Sequence, residues 1–314
     1  MTTVELDAAT LERPEAATPA RILWSYTIVL STIHILSLLA LFPWFFSWTG
    51  VALVVIGHHV FGLLGITLGY HRLLTHRGFT CPLWLEYTLA MLGVCCLQDS
   101  PIRWVAMHRQ HHQFPDKQND PHSPLVAVAW GHVVWLLIEN REHQYVSFFD
   151  RYAHDLCQDK LYRQLERKAA WFFVYLAHII PFFVAGLLAG RWLDGSWAAG
   201  AQFGASLVVW GVFVRTVFVW HFTWAVNSLS HVWGYRNYET NDNSRNNWFV
   251  ALVADGEGWH NNHHAEPRAA AHGHHWWEFD LTWRVIRFLE LIGLAKDVVR
   301  PKSWEPSKSS KSAA

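Results

Sequence analysis

Four long apolar stretches separate the polar segments of this chain. They cover approximately residues 22–42, 51–70, 170–190 and 197–226, and each is close to the roughly 20 residues that an α-helix needs to cross a bilayer. A shorter apolar run at 83–97 falls below that length and is expected to be buried or re-entrant. The pattern therefore predicts an all-α membrane protein with four transmembrane helices.

The polar segments divide the rest of the chain into two tails and a large cap. Residues 1–20 are acidic and lack the basic start of a signal peptide, and residues 305–314 are rich in serine and lysine. We expect both segments to be mobile tails. The membrane domain then covers residues 21–304, and its helical cap is formed by residues 71–169 and 231–304.

Lysine and arginine are concentrated in the two cap segments. Residues 71–169 carry eleven and the residues after 231 carry ten, whereas the loop 43–49 carries none and 190–196 carries only Arg191. Because cytosolic loops are enriched in these residues, we expect the cap and both termini to face the cytosol. The expected location is the plasma membrane of a bacterium or the endoplasmic reticulum of a eukaryote.

The charge and hydrophobicity of the chain limit the kinds of molecule it is expected to bind. The 314-residue chain has a net charge of zero at pH 7, and 52% of its residues are hydrophobic. Balanced charge argues against a nucleic-acid partner, and the lipid bilayer is the expected environment. The four cysteines lack the CxxC spacing of zinc sites, so we expect free thiols.

Histidine is unusually frequent, with 21 residues. Nine of them fall into the clusters "HRLLTH", "HRQHH", "NSLSH" and "GEGWHNNHH". They are His71, His76, His108, His111, His112, His231, His260, His263 and His264. Residues three or four apart share one face of a helix, and neutral imidazole is a common ligand of Fe, Zn and Cu. Four ligands satisfy one zinc ion, so nine histidines on the cap side predict two metal ions.

The four clusters resemble the histidine boxes of the membrane fatty acid desaturases, closest to the stearoyl-CoA (delta-9) desaturase branch. The similarity extends from about residue 50 to 300 and includes "GITLGYHR", "NDPHSP", "TWAVNSLSH" and "WWEFD". It implies a site with two iron ions. One ion would be bound by His71, His76, His108, His112 and His263. The other would be bound by His111, His231, His260 and His264, with a water molecule held by Asn227.

The resemblance also implies a reaction and its participants. The family introduces a cis double bond into a saturated acyl chain and reduces O2 to water, and the delta-9 position is expected here. Residues that shape the bent acyl tunnel correspond to Gln98, Trp104, Thr223 and Trp224. The HPGG motif of a fused cytochrome b5 does not occur in the sequence. Electrons are therefore expected from a separate ferredoxin, rubredoxin or cytochrome b5.

The acyl carrier and the end of the tunnel are less constrained. Ala106 and Met107 precede the second cluster, where animal members of the family have an Arg-Asp pair that binds CoA, so acyl-CoA and other acyl lipids both stay open. At about 1.5 Å of helix rise per residue, the methyl end is expected roughly 8–16 residues before His71. Val55 and His59 lie in that window, one turn apart.

Acidic residues next to the clusters are candidates for support of the ligands, because a metal-bound histidine usually donates its other N–H to a carboxylate or carbonyl. These candidates are Asp120, Asp242, Asp255 and Glu257. His122 and the histidines within 272–275 are expected to lie at the surface or to play a similar supporting role.

Other functions fit less of the sequence. A histidine-box hydroxylase or alkane monooxygenase would share the metal chemistry, but the four spans and "TWAVNSLSH" favour a desaturase. His58, His59 and His178 lie within apolar stretches, as the haem ligands of a b-type cytochrome do. A metal transporter would carry polar residues through its spans. Neither of these last two classes explains the four clusters of the cap.

Overall fold

The computed structural model describes residues 11–304, and the secondary structure of this part is helical apart from isolated β-bridges. Four helices are long and apolar enough to cross a membrane, which confirms the expected number of spans. The spans are α1 (Trp24–Leu41), α2 (Trp48–Thr75), a third that joins α7 (Lys160–Glu166) to α8 (Ala170–Asp194), and α9 (Trp197–Leu229).

Shorter helices build the cap between and after the spans. They are α3 (Leu83–Val94), α4 (Pro101–Gln113), α5 (130–137), α6 (Val146–Gln158), α7 (Lys160–Glu166), α10 (Trp248–Val253), α11 (His260–Ala265) and α12 (Leu281–Leu291). The spanning helix α8 covers Ala170–Asp194. The short apolar run of the sequence forms α3, which packs along α2.

The C-terminal part of α2, next to the cap, has an unusual winding. From His58 to Thr75 it is a π-helix, in which each N–H bonds to the carbonyl five residues earlier. The N–H of His76 continues this pattern by donating to the His71 carbonyl over 3.1 Å. A Cβ atom at Gly65 would lie only 2.3 Å from the Gly93 nitrogen of α3. The close approach of α3 helps to bury the end of α2. His71 and His76, at this end, therefore lie in the interior of the cap.

A buried arginine connects α2 to the C-terminal part of the cap. Arg72 is 1% exposed, and it donates from Nε to Glu257 Oε1 over 3.0 Å and from Nη1 to Asp280 Oδ2 over 2.8 Å. Nη1 also donates to the Ala270 carbonyl over 2.7 Å. Losing one partner of a buried ion pair typically costs about 3–5 kcal/mol, so this network holds the cap firmly against the span.

The described part of the expected N-terminal tail contacts the cap. Leu11 N–H donates to the Leu125 carbonyl over 3.2 Å, and Arg141 Nη2 donates to the carbonyls of Glu15 and Thr18 over 3.0 and 3.2 Å. Residues 11–20 are thus tethered to the loops that follow α4 and α5. The rest of the two expected tails, residues 1–10 and 305–314, lies outside the described part of the chain.

Candidate active site

Four elements bring the nine histidines of the clusters together. The end of α2 supplies His71 and His76, one face of α4 supplies three more, the turn after α9 supplies His231, and α11 supplies the last three. The 71–76 spacing works because the helix is π-wound there, which places residues five apart on one side. The α4 and α11 histidines follow the α-helical i, i+3 and i+4 pattern.

The side chains form two separate groups. In the first histidine group, the nearest ligand atoms all lie within 4.8 Å of one another; its members are His71, His76, His108, His112 and His263. The second histidine group meets the same criterion, and its members are His111, His231, His260 and His264. The two sets are the same five and four residues that the resemblance implied.

Distances inside the groups fit donors that share an ion. The Nε2 atom of His263 lies 3.1 Å from that of His71 and 2.9 Å from that of His112. In the second group, Nε2 atoms are 3.3 Å apart for His111 and His264. Two nitrogens bound at right angles, each about 2.1 Å from a metal, would be about 3.0 Å apart. Five nitrogens in one group exceed the four of a structural zinc site and suit a metal of higher coordination number.

Carboxylates fix the proton positions of the second group. His111 Nδ1 donates to Asp120 Oδ2 over 2.9 Å, and His264 Nδ1 donates to Asp242 Oδ2 over 3.0 Å. With the proton on Nδ1, the Nε2 lone pairs of these two rings face each other at 3.3 Å. Such an arrangement is repulsive unless a cation lies between them, so the donor set fits a bound metal ion.

Two further carboxylates contact the cluster histidines. Glu257 Oε2 lies 2.6 Å from His71 Nδ1, as expected for a supporting residue. Asp116 accepts a hydrogen bond from His231 Nδ1 over 2.9 Å, a role that the sequence reading missed. Its only signal in the sequence is a second acidic residue four positions before Asp120.

Charges are arranged so that several of the imidazoles stay neutral and the neighbouring carboxylates stay ionised. His231 differs, because burial lowers its pKa but nearby Asp116 raises it above the usual value. Burial, together with repulsion between rings, lowers the pKa of His76, His108 and His263 well below the usual value. Burial alone raises the pKa of Glu257, but nearby His272 and Arg72 lower it well below its usual range. Metal binding requires neutral imidazole, so the site is prepared for it at neutral pH.

One expectation for the neighbouring residues changes, and burial decides between the two alternatives left open for His122 and His272. Asp255 contacts His58 and His59 of α2 rather than a histidine of the two groups, because the chain turns at this residue and directs its side chain away from that of Glu257. His122 and His272 are buried beside the groups and not at the surface. His272 Nδ1 lies 3.2 Å from Glu257 Oε2.

A cavity of about 530 Å³ runs beside the histidine groups. Its wall includes His71 and His108 of the first group, His260 of the second, and Asn227. Apolar side chains form much of the remaining surface, among them Leu30, Ile66, Leu97, Phe172, Val219 and Trp220. Such a mostly apolar, buried space is typical of a small-molecule site.

The four residues expected to shape the bend all line this cavity. Gln98 Nε2 donates to Thr223 Oγ1 over 3.0 Å, and Trp104 Nε1 donates to Gln98 Oε1 over 3.3 Å. The Trp104 ring stacks on His108 with 5.0 Å between ring centroids. Trp224 lines the same cavity. This hydrogen-bonded set therefore fixes the cavity wall next to the first histidine group.

The expected end of the tunnel at Val55 and His59 is not supported. Neither residue lines the cavity; Val55 is 59% exposed and the side chain of His59 is 47% exposed. The face of α2 that lines the cavity carries His58, Gly62 and Ile66 instead. The prediction rested on distance along the helix axis, which does not determine the face of α2 that meets the cavity; the π-winding brings His58, Gly62 and Ile66 to that face.

The haem-ligand alternative has no matching geometry. His178 Nε2 accepts a hydrogen bond from Arg215 Nη2 over 2.9 Å, and His58 and His59 contact Asp255. The three intramembrane histidines are therefore engaged with polar partners of the protein and do not face one another as a pair of axial ligands.

Comparisons with known proteins show which family the chain resembles along its length. A profile of the fatty acid desaturase family matches residues 43–291. The chain is 42% identical over 287 residues to the sn-2 palmitoyl-lipid 9-desaturase of Nostoc sp., an alignment that covers 91% of this chain and 93% of that protein. It is 42% identical over 284 residues to the sn-1 stearoyl-lipid 9-desaturase of Synechocystis sp., covering 90% and 81%.

A plant relative extends this similarity. The chain is 44% identical over 280 residues to the chloroplastic palmitoyl-monogalactosyldiacylglycerol delta-7 desaturase of Arabidopsis thaliana, covering 89% of this chain and 70% of that protein. The resemblance seen in the histidine clusters is confirmed along most of the sequence, and the chain belongs to the fatty acid desaturase family.

Proposed function

We propose that this desaturase introduces a cis double bond at the delta-9 position of an acyl chain carried by a membrane lipid. The observation that carries the proposal is the shared wall: His71, His108 and His260 belong to the histidine groups and also line the apolar cavity. An acyl chain in the cavity would pass beside both groups. The position and the carrier are supported by the names of the two cyanobacterial relatives, both lipid 9-desaturases.

The cofactor is proposed to be two iron ions, one in each histidine group, with Asn227 holding a water ligand of the second. Bound iron would supply the activation of O2 that removes two hydrogens from an unactivated pair of carbons. The reaction also takes up two electrons and two protons and produces two molecules of water. A separate ferredoxin, rubredoxin or cytochrome b5 is the proposed source of the electrons.

Side chains of the protein position the reactants. Asp120 and Asp242 keep the proton on Nδ1 of their histidines, which leaves Nε2 free to bind metal. The Gln98–Thr223 hydrogen bond holds two walls of the cavity together. The apolar lining excludes water and holds an alkyl chain without a polar contact, so the position of the reacting carbons depends on the shape of the cavity.

The cap is proposed to face the cytosol, because lysine and arginine are concentrated there. A cysteine introduced at the exposed position Asn119 should be labelled by a membrane-impermeant maleimide only after the cells are opened. The matched control is a cysteine at Gly195, in the short loop between α8 and α9. Labelling of the position-119 cysteine in intact cells would contradict this orientation.

Expression in a desaturase-deficient host tests the function. We expect new monounsaturated chains with the double bond at carbon 9, located by mass spectrometry, and their first appearance in membrane glycerolipid during a short pulse of labelled saturated fatty acid. Products that gain one oxygen would show a hydroxylase. Earlier appearance of label in unsaturated acyl-CoA would show that CoA is the carrier.

Chain length gives a test of the cavity itself. A Cβ atom at Gly62 would lie 3.2 Å from Val219 Cγ2, so Gly62→Leu places a side chain into the lined space. Because one methylene in an apolar pocket is worth roughly 1–3 kcal/mol, we expect at least a tenfold shift toward products with shorter chains. Val55→Leu, on the exposed face of the same helix, is the control and should keep the wild-type profile. Equal profiles for the two variants would contradict the assignment of the wall.

A further inference from the structure

A second cluster of metal-binding side chains lies apart from the nine histidines. His58 and His59 of α2 flank the carboxylate of Asp255, and one ligand atom from each of the three lies within 4.8 Å of the others. His58 Nε2 is 3.1 Å from Oδ2, and His59 Nδ1 is 3.2 Å from Oδ1. We call these three residues the α2 triad. Its two histidines lie thirteen and twelve residues before His71 on α2, which is roughly 15–20 Å along the helix axis.

Hydrogen bonding alone leaves this carboxylate poorly satisfied. Asp255 is 3% exposed, and its Oδ2 atom has no hydrogen-bond partner among the described residues. The hydrogen-bonded histidine–carboxylate pairs of the active site are shorter, at 2.9 Å for His111–Asp120 and His231–Asp116. Burial of a carboxylate oxygen without a donor is costly, which calls for another positive partner.

The spacing of the three atoms fits a shared cation. Nitrogen and oxygen ligands that are each about 2.1 Å from one ion, at right angles, would lie about 3.0 Å apart. Two imidazoles and one carboxylate form a donor set used for first-row divalent cations. His58 and Asp255 also line the cavity beside the histidine groups, which gives an ion a route of entry within the protein.

The backbone at Asp255 also indicates a held conformation. Its φ angle is 56°, in the left-handed region that costs a non-glycine residue about 1–3 kcal/mol unless its surroundings impose it. The residue belongs to the turn between α10 and α11, and Glu257 of the same turn contacts His71 of the first histidine group. An ion bound to Asp255 would fasten this turn to α2.

We propose that the α2 triad is a third metal site, which binds a first-row divalent cation and clamps the turn that carries Glu257. The ion has a structural role and takes no part in the reaction of the acyl chain. The site is formed by two adjacent histidines and Asp255. Its proposal does not depend on whether the nine histidines bind iron.

The test counts zinc in the purified full-length protein. The iron-loaded protein is incubated with Zn²⁺, desalted, and analysed for zinc and iron by plasma mass spectrometry. Asp255→Asn keeps the shape of the side chain but removes its charge, and His59→Gln changes a half-exposed position that should not affect folding. Asp150→Asn is the control, because Asp150 contacts His154 over 2.7 Å in an exposed pair outside the cluster.

The wild type and Asp150→Asn should each retain one zinc more per chain than Asp255→Asn or His59→Gln, at equal iron content. Zinc X-ray absorption should show nitrogen and oxygen ligands near about 2.1 Å. Equal zinc in Asp255→Asn and the wild type would overturn the site. So would zinc uptake that only replaces iron, seen as equivalent iron release in every variant. Neither result depends on desaturase activity, so the function proposed above is tested separately.

Discussion

His263→Ala is expected to lower desaturation by about a thousandfold or more, because metal activation accounts for a large part of such chemistry. The Nε2 atom of His263 lies 3.1 Å from that of His71 and 2.9 Å from that of His112, so it stands between two other members of the first group. Alanine removes one of five nitrogen donors and leaves a gap in the centre of the set.

Fatty acid profiles measure the loss of activity, and iron content measured by plasma mass spectrometry should fall toward one ion per chain. His34→Ala is the control, since that histidine lies in α1 and bonds to the Leu30 carbonyl and to His221. It should keep normal iron and most of the activity. Wild-type turnover in His263→Ala would contradict the proposed role of the first histidine group.

The gathering of the nine histidines could be anticipated because helix geometry is local, whereas their division into groups of five and four was implied only by the family resemblance. His108, His111 and His112 are close in sequence and therefore close in space on any helix. The apolar stretches limited the possible topologies in the same way, since a run of about 20 apolar residues has few alternatives to a span. With both known, the cap had to gather the four clusters on one side.

The end of the tunnel could not be anticipated because the winding of α2 is not visible in the sequence. A helix with bonds between residues five apart turns less per residue than an α-helix. This winding places His58 and Gly62 on the cavity side of α2 together with His71. The prediction of Val55 and His59 considered only distance along the helix axis, which does not determine the face.

Supporting carboxylates were partly missed because their contacts join distant parts of the chain. Asp116 and His231 are 115 positions apart, and no local pattern relates them. Asp255 was misplaced for a different reason: the turn after α10 contains Gly256 at a φ of 112°, which separates the directions of Asp255 and Glu257. Sequence adjacency to a cluster therefore did not decide which acid supports it.

Asp116→Asn is expected to reduce metal affinity and activity by about 10–100-fold, the usual effect of losing a residue that supports a metal-bound histidine. The Asp116 carboxylate accepts hydrogen bonds from His231 Nδ1 over 2.9 Å and from the Asn243 N–H over 2.7 Å. An amide cannot accept with the same strength and can present its NH₂ group to the ring. His231 then loses its preference for the proton on Nδ1, and its Nε2 is less available to metal.

Electrostatics reinforces this expectation. Burial alone raises the pKa of Asp116, but the charge and hydrogen bond of His231 lower it below its ordinary value. A depressed carboxyl pKa adds stability at pH values above about 4, and this contribution is lost as the pH falls further. Asp116→Asn should therefore flatten the acid side of the stability curve, measured by thermal unfolding of the purified protein between pH 3 and 7.

The control for this variant is Asp150→Asn, which removes a carboxylate from the exposed His154 and should change neither iron content nor activity. Iron retention against a graded series of chelator concentrations gives the affinity ratio. If Asp116→Asn retains iron as tightly as Asp150→Asn, the ring of His231 is held by other contacts. The hydrogen bond from His231 would then be incidental to metal binding, although it is buried and short.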